Sequence, residues 1–296
     1  MKVYAVIVTF NRIDLLKQCL AATTNQSRKP DCIVVIDNAS SDGTKEYLEH
    51  WKIEEPNIRI ALHFDRNTGG SGGFYRGIEL ACRLGANWVW VMDDDSLPES
   101  NCLEQLLNAG DIQEIGFLAP LVRWKDGSIC LSNPTQADGV NWATRYEEKK
   151  PIIKVLSASF VGLLVHRDAV LKVGLPVPEF FIWYDDIEYT LRITRALQGF
   201  CVPSAVVNHL IPENSSPGYS KVNEKNLWKH QYGIRNETAV TFRTRRFGFL
   251  RSLLLWAERN REMRIGNAPL SVRIRVLAWA AKGMLFRYQK KIRHLN

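Results

Sequence analysis

Four apolar runs, each closed by a polar cluster, constrain the fold of this chain more than any single residue does. Residues 2–9 (KVYAVIVT), Cys32–Ile36, Ile58–His63 and Asn87–Met92 are short and rich in β-branched residues, the pattern of buried strands. Between them the apolar spacing turns helical. Asn11 can cap a helix carrying Leu15, Leu16, Cys19 and Leu20, the turn-rich stretch from Asp37 to Thr44 leads into a second, and a third follows the glycines at 69–73 and runs to about Leu84. Strand–helix alternation at this spacing predicts an α/β fold, a mostly parallel sheet with helices on both faces. Ligands of such sheets bind outside the carboxyl ends of the strands. The polar clusters Thr9–Arg12, Asp37–Ser41, Arg66–Gly73 and Asp93–Asp95 all follow strand ends, so they are expected on one edge.

Later regions are plainer. Short strand-like segments occupy Gly116 to Val165, a loop Pro176 to Phe181, a helix Asp185 to Leu197, and amphipathic helices everything beyond about Val222. A boundary near 240 divides a main domain, 1–240, from a basic amphipathic helical extension, 241–296. The 296 residues, 46% hydrophobic and 24% charged, suffice for one large α/β core plus that extension. Six scattered cysteines without a CxxC pair argue against a disulfide framework or a zinc knuckle and for a reducing cytosol. The first apolar run is too brief for a signal peptide, and none is long enough to span a bilayer, so a soluble or peripheral protein is expected. The net charge of +8 is uneven. Residues 235–296 hold fifteen Arg and Lys against three Glu, an excess of twelve that leaves the first 234 residues at −4.

The chemistry-bearing residues come in four groups. Asp93-Asp94-Asp95 ends an apolar strand, and nothing local neutralises it; a hard or borderline cation such as Mg²⁺ or Mn²⁺ would. In extended chain Asp93 and Asp95 point the same way and can share one ligand. The competing reading is a helix start at Ser96 and Pro98-Glu99, which uses one aspartate as a cap. In the segment Phe181–Tyr189, carboxylates lie beside aromatic rings, and partial desolvation there suits a general base. Here too a helix start, with acids in the first turn, is the alternative. His209 follows the strand-like run Val202–Asn208 and is either structural or a metal ligand. Arg66–Gly73 is a glycine-rich strand-to-helix turn whose exposed N–H groups suit an anion. It lacks the P-loop lysine and a strict GxGxxG, which disfavours a kinase or a dehydrogenase.

Together VTFNR (8–12), VVIDNASSDGT (34–44), RNTGGSGGFYRG (66–77), WVWVMDDDSLPE (88–99), WYDDIEYTLR (183–192) and YGIRN (232–236) resemble family 2 glycosyltransferases of the GT-A fold. The combination is most like the bacterial galactofuranosyltransferases and covers roughly residues 2 to 240. The resemblance implies an inverting transfer from a nucleoside diphosphate sugar, without a covalent intermediate, to a glycan or lipid-linked glycan acceptor. It implies donor contacts from Thr9, Phe10, Arg12, Asp37, Asn38, Arg66, Asn67, Gly69, Gly70, Gly73, Asp93, Asp94 and Trp183. Asp93, Asp95 and His209 would hold Mn²⁺ or Mg²⁺. Asp186 would be the general base, with Asp185 and Glu188 orienting it or the acceptor. Many relatives carry Asp where Asn38 stands, which bears on nucleotide preference.

The donor expected first is UDP-galactofuranose. dTDP-rhamnose is an alternative within the class, and a non-catalytic sugar-nucleotide or glycan-binding protein is one outside it. Arg interleaved with Leu, Trp and Phe over 242–296 suits docking on anionic lipid at the inner face of the plasma membrane. A solvated helical subdomain is the plainer reading, and nucleic acid is not expected as a partner.

Overall fold

The computed structural model describes residues 1–109, 114–133, 135–137, 152–215, 218–244 and 246–288. Expectations for residue 245 and for 289–296 of the basic tail lie outside the described residues. The strands β1 (Val3–Thr9), β2 (Cys32–Asp37), β3 (Arg59–His63) and β4 (Trp88–Asp93) alternate with helices α1 (Ile13–Thr24), α2 (Thr44–Glu54) and α3 (Gly69–Arg83). After β4 the chain makes β5 (Ser96–Pro98), α4 (Cys102–Leu107), β6 (Ile115–Trp124), β7 (Gln136–Ala137), β8 (Ile153–Ser157) and β9 (Leu163–His166). Then come α5 (Arg167–Val173), α6 (Asp185–Ile193) and the long strand β10 (Gln198–His209). Three helices follow: α7 (Leu227–Thr244), α8 (Gly248–Ile265) and α9 (Leu270–Leu285). Helix α7 runs unbroken through residue 240, so a division at 240/241 falls inside an element.

One sheet organises these strands in the order β3-β2-β1-β4-β9-β6-β10-β8-β7, with β5 paired to β10. The first four strands are parallel, as the alternation predicts. Beyond β4 the sheet is mixed, because β9 joins β4 and β6 antiparallel while β6 and β10 remain parallel to each other. Apolar clusters cover both faces: Val6, Val34, Ile36, Phe74 and Ile78 on one, Ile7, Leu16, Leu48, Trp90 and Leu103 on the other. Burying each such side chain contributes about 1.5–3 kcal/mol.

Register sets the functional edge. Thr9 pairs with Asp37, and Val8 with Asp93, so the carboxyl ends of β1, β2 and β4 stop level with one another. Asp94 and Asp95 form a turn that sends the chain straight into β5. That short strand pairs with the end of β10, Ser96 opposite His209, and Leu210 N–H donates to the Asp95 carbonyl at 2.9 Å. Ser96 and Pro98 therefore open a strand, and none of the three aspartates caps a helix. At α1, Asn11 is not the cap: it sits at φ 53 and accepts from Ser41, while Asp42 accepts the first helical N–H, that of Ile13, at 3.0 Å.

Candidate active site

A cavity of about 1820 Å³ opens along this edge, between the ends of β1 and β4 and the first turns of α6 and α7. Its lining includes Thr9, Phe10, Arg12, Asn38, Asn67, Gly69, Gly70, Asp93, Asp94, Asp95, Trp183, Asp185, Asp186 and His209. Among the described residues, Asp37, Arg66, Gly73 and Glu188 are outside it.

The aspartate run is divided among three environments. Asp94 is buried and accepts from Thr9 Oγ1 at 2.8 Å and Arg12 Nη1 at 3.3 Å. Burial pushes its pKa up to about 6, against the pull of Arg12. For Asp95 burial works the same way, but His209 and Arg12 outweigh it and hold its carboxyl below the usual range. Arg12 Nη1 donates to Asp95 Oδ2 at 2.8 Å, and His209 Nε2 to Oδ1 at 3.0 Å. The other His209 nitrogen lies 2.7 Å from Asn133 Oδ1, so both ring nitrogens face oxygen, an arrangement that favours the protonated ring while no metal is bound. Burial opposes that charge, yet the bond to Asp95 prevails and the His209 pKa rises to about 10. The Asp93 carboxylate accepts no hydrogen bond among the described residues; only its main-chain carbonyl does, from the Cys19 thiol. Burial, then the charges of Asp95 and Asp94, raise its pKa well above the ordinary carboxylate value.

Two oxygen donors and an imidazole are a chemically suitable set for Mn²⁺ or Mg²⁺, and a carboxylate as poorly compensated as Asp93 fits a nearby cation. The side chains do not meet as a ready cage, however. Both Asp95 oxygens are engaged, and no group of three His, Cys, Asp or Glu among the described residues is arranged to hold a metal.

The glycine cluster differs from the expected loop. Gly69 to Gly73 already belong to α3, and most of them permit packing. A Cβ on Gly73 would stand 2.5 Å from Val8 Cγ1, and one on Gly72 would strike the Thr68 side chain. At Gly69, with φ +75, a Cβ would collide with the Phe181 carbonyl, which also accepts from Ser71 N–H at 3.3 Å. Only Gly69 and Gly70 line the cavity, and the helix start is docked onto the aromatic segment. Asn38 explains the neighbouring turn. Its Nδ2 donates to Asn67 Oδ1 at 3.0 Å and to the Gly69 carbonyl at 2.9 Å, while its Oδ1 accepts from Thr68 N–H at 2.8 Å. A carboxylate cannot make both donations, so Asn at this position stitches 67–69 to β2. Asp37 is buried beneath, occupied by His63 Nδ1 at 2.9 Å and Ser40 N–H at 2.9 Å. Arg66 is exposed.

Across the cavity, the aromatic-acid segment does start a helix, α6, and two of its three acids also face the cavity. Burial pushes Asp185 up to about 6. Burial and the adjacent Asp185 charge push Asp186 to about 7. Glu188 points elsewhere: Arg192 Nη2 and Nε donate to it at 2.8–3.2 Å, and both side chains are buried. It is half of an i,i+4 ion pair inside the protein, and a role orienting base or acceptor does not fit that position. Trp183 lines the cavity, edge-on to His230 at 5.3 Å. Phe181, Trp183 and Tyr184 all have positive φ (67°, 63° and 68°), each costing about 1–3 kcal/mol outside glycine. The residues that sustain this loop, Arg235, Asn236 and Glu237 on α7, have no role in the sequence reading. The available signal was an Asn in the interior of a long helix, where its propensity is poor.

All six cysteines are free and buried, and no described helix is long and apolar enough to cross a membrane. Residues 4–160 match the family described as Glycosyl transferase family 2. The chain is 31% identical over 203 residues to galactofuranosyltransferase GlfT1 of Mycolicibacterium smegmatis, covering 66% of each protein. It is 30% identical to GlfT1 of Mycobacterium tuberculosis, covering 66% of this chain and 65% of that one. It therefore spans just under two thirds of these curated relatives' length. An N-acetylglucosaminyl-diphospho-decaprenol L-rhamnosyltransferase of Mycobacterium tuberculosis is 26% identical, over 69% of this chain and 74% of its own. Among solved structures, GalNAc-T7 with UDP, GalNAc and Mn²⁺ superposes with a TM-score of 0.61 at 14% identity, over 81% of this chain and 47% of the other. Parallel strands ending level at an acidic cavity, a matching family over half the chain and this shared architecture agree: the chain belongs to glycosyltransferase family 2 and has the GT-A fold.

Proposed function

We propose that the enzyme is an inverting, metal-dependent transferase that moves galactofuranose from UDP-galactofuranose to a hydroxyl of a cell-surface polysaccharide or a lipid-linked precursor. The observation that carries this reading is the opposition of Asp186, tuned to about 7, to the acidic turn at Asp93–Asp95 across one cavity. A general base works best with a pKa near the working pH. Asp186 takes the proton of the acceptor hydroxyl as that oxygen attacks the anomeric carbon, and Trp183 packs beside the sugar. Thr9, Phe10, Arg12, Asn38, Asn67 and Gly69 line the donor end. Mn²⁺ or Mg²⁺ at Asp93, with Asp95 and His209 turned toward it, would neutralise charge developing on the leaving diphosphate.

The rhamnosyltransferase relative supports a second donor, dTDP-rhamnose. Release of nucleoside diphosphate from each donor, with Mn²⁺ and with chelator, separates the two. We expect Mn²⁺-dependent UDP release from UDP-galactofuranose; faster release from dTDP-rhamnose reverses the assignment, and turnover unchanged by chelator removes the metal.

An anionic membrane surface is the proposed docking partner, at the cytoplasmic face. Phe247, Phe249, Leu250 and Leu254 are 57–66% exposed around the start of α8, and the stretch 238–257 holds four arginines and no acid. Apolar insertion flanked by Arg suits anionic lipid, and the same charge disfavours pairing with a second copy. Flotation with phosphatidylglycerol vesicles but not with phosphatidylcholine ones is expected, and equal flotation with both overturns it.

A further inference from the structure

We propose that Asn236, flanked by Arg235 and Glu237 on α7, positions Asp186 by holding residues 179–184 in their strained path, which makes the C-terminal helices part of the catalytic apparatus. This rests on the reading of Asp186 as the base. Asn236 is fully buried and its amide offers two N–H bonds to three carbonyls: Phe180 at 2.9 Å, Ile182 at 3.0 Å and Trp183 at 2.9 Å. Each of those carbonyls belongs to the residue just before one at positive φ (Phe181, Trp183 and Tyr184), so one side chain spans the whole distortion.

Its neighbours grip either end of the same loop. Arg235 Nη2 donates to the Glu179 carbonyl at 2.7 Å, and the guanidinium lies 4.1 Å from the Phe286 ring centre and 4.8 Å from that of Tyr232. Glu237 accepts from Arg259 Nη2 of α8 at 2.6 Å, and its charge beside the Tyr184 hydroxyl helps to raise that group's pKa. Gly233, one turn earlier, leaves room for the Trp183 ring, which a Cβ there would meet at 2.6 Å. Asp185 and Asp186 open α6 immediately after this loop, so its path fixes where they point. Asn236 itself does not line the cavity, and its action is through Asp186. A displacement of about 1 Å at a reacting group costs on the order of 10²-fold in rate.

The test uses the full chain, Mn²⁺ and whichever of UDP-galactofuranose and dTDP-rhamnose is turned over, with release of nucleoside diphosphate as the readout. Asn236→Asp keeps the shape but loses the donor hydrogens. It should lower kcat about 10–100-fold with KM within about threefold, and shift the acid limb of the kcat–pH profile down as water reaches Asp186. Arg235→Lys, the milder variant should Asn236→Asp fail to fold, should show the same pattern at about two- to fivefold. Unchanged kcat and pH profile, or a loss of turnover that disappears when corrected for the folded fraction and leaves the acid limb unmoved, overturn the positioning role. Asp186→Asn separates the two claims. If it stays active, the base assignment fails and takes this proposal with it; if it is inactive while Asn236→Asp behaves as wild type, only the positioning role fails.

Discussion

The cavity holds two carboxylate clusters that solve the same electrostatic problem differently. At Asp93–Asp95 the negative charge is met by cations and donors, with Arg12, His209 and Thr9 spread over Asp94 and Asp95, and one member left uncompensated. At Asp185–Asp186 no cation intervenes among the described residues, and the buried pair is met by the Ser71 hydroxyl and main-chain donors. Only Asp95 is held below the usual carboxylate range; burial raises Asp93 and Asp94 as it raises Asp185 and Asp186, so what separates the clusters is their partners, cations on one side and none on the other. Under the proposed function, the cluster met by cations and donors suits binding and the cation-free pair suits proton transfer. Asp185 also contributes to the raised pKa of Asp93, so the two clusters lie within electrostatic reach of each other.

The contrast can be broken at either end. Asp186→Asn is expected to lower turnover about 10²–10⁴-fold while calorimetric donor affinity changes by less than about threefold. A matched loss of affinity would erase the distinction. Asp93→Asn should do the converse, weakening donor binding in Mn²⁺ about 10²-fold and leaving it insensitive to chelator. Glu188→Gln tests whether the third acid belongs to either cluster. Leaving Arg192 buried without its partner should cost about 3–5 kcal/mol in urea unfolding, with kcat of the folded enzyme retained.

The smallest expected effect is on pH dependence. Turnover should be full above about pH 7 and fall below it as Asp186 takes up a proton. The stability sign is the reverse. A carboxyl raised in the folded state favours folding at low pH, and that contribution is lost as pH rises through about 7. Asp186→Asn should therefore raise Tm by a few degrees at pH 8 and hardly at pH 4, by calorimetry.

Much of this was legible in the residues. Strand–helix alternation gave the parallel half of the sheet, and polar clusters after apolar runs gave its functional edge, because both depend on short-range periodicity. The antiparallel insertion of β9 and the pairing of β5 with β10 depend on partners far along the chain, which periodicity does not encode. At the site, Asp93–Asp95 and Asp185–Asp186 could be read because unpaired acids beside apolar residues demand compensation. Glu188 was misplaced because its fate turns on Arg192, one helical turn away, and an i,i+4 pair looks alike whether it faces solvent, cavity or core. The glycines invited an anion-binding reading that tertiary contact overrode at Gly73, where the missing Cβ admits Val8. Asn236 lies in the YGIRN motif, but its part in the fold is not legible there, since its three partners become neighbours only once α7 folds against the loop.

Contact between Gly69 and the Phe181 carbonyl bears on how such enzymes can be re-engineered. The start of α3 borders the cavity beside β1 and β2, and loop 179–184 leads into the acids of α6; at this point the two touch without an intervening side chain. Residues 66–73, 179–186 and 233–237 thus form a single exchangeable module scattered over three places in the sequence. A chimaera importing the counterpart of residues 66–73 from a relative alone would set a foreign helix start against a native loop. Grafting all three together keeps their interface matched.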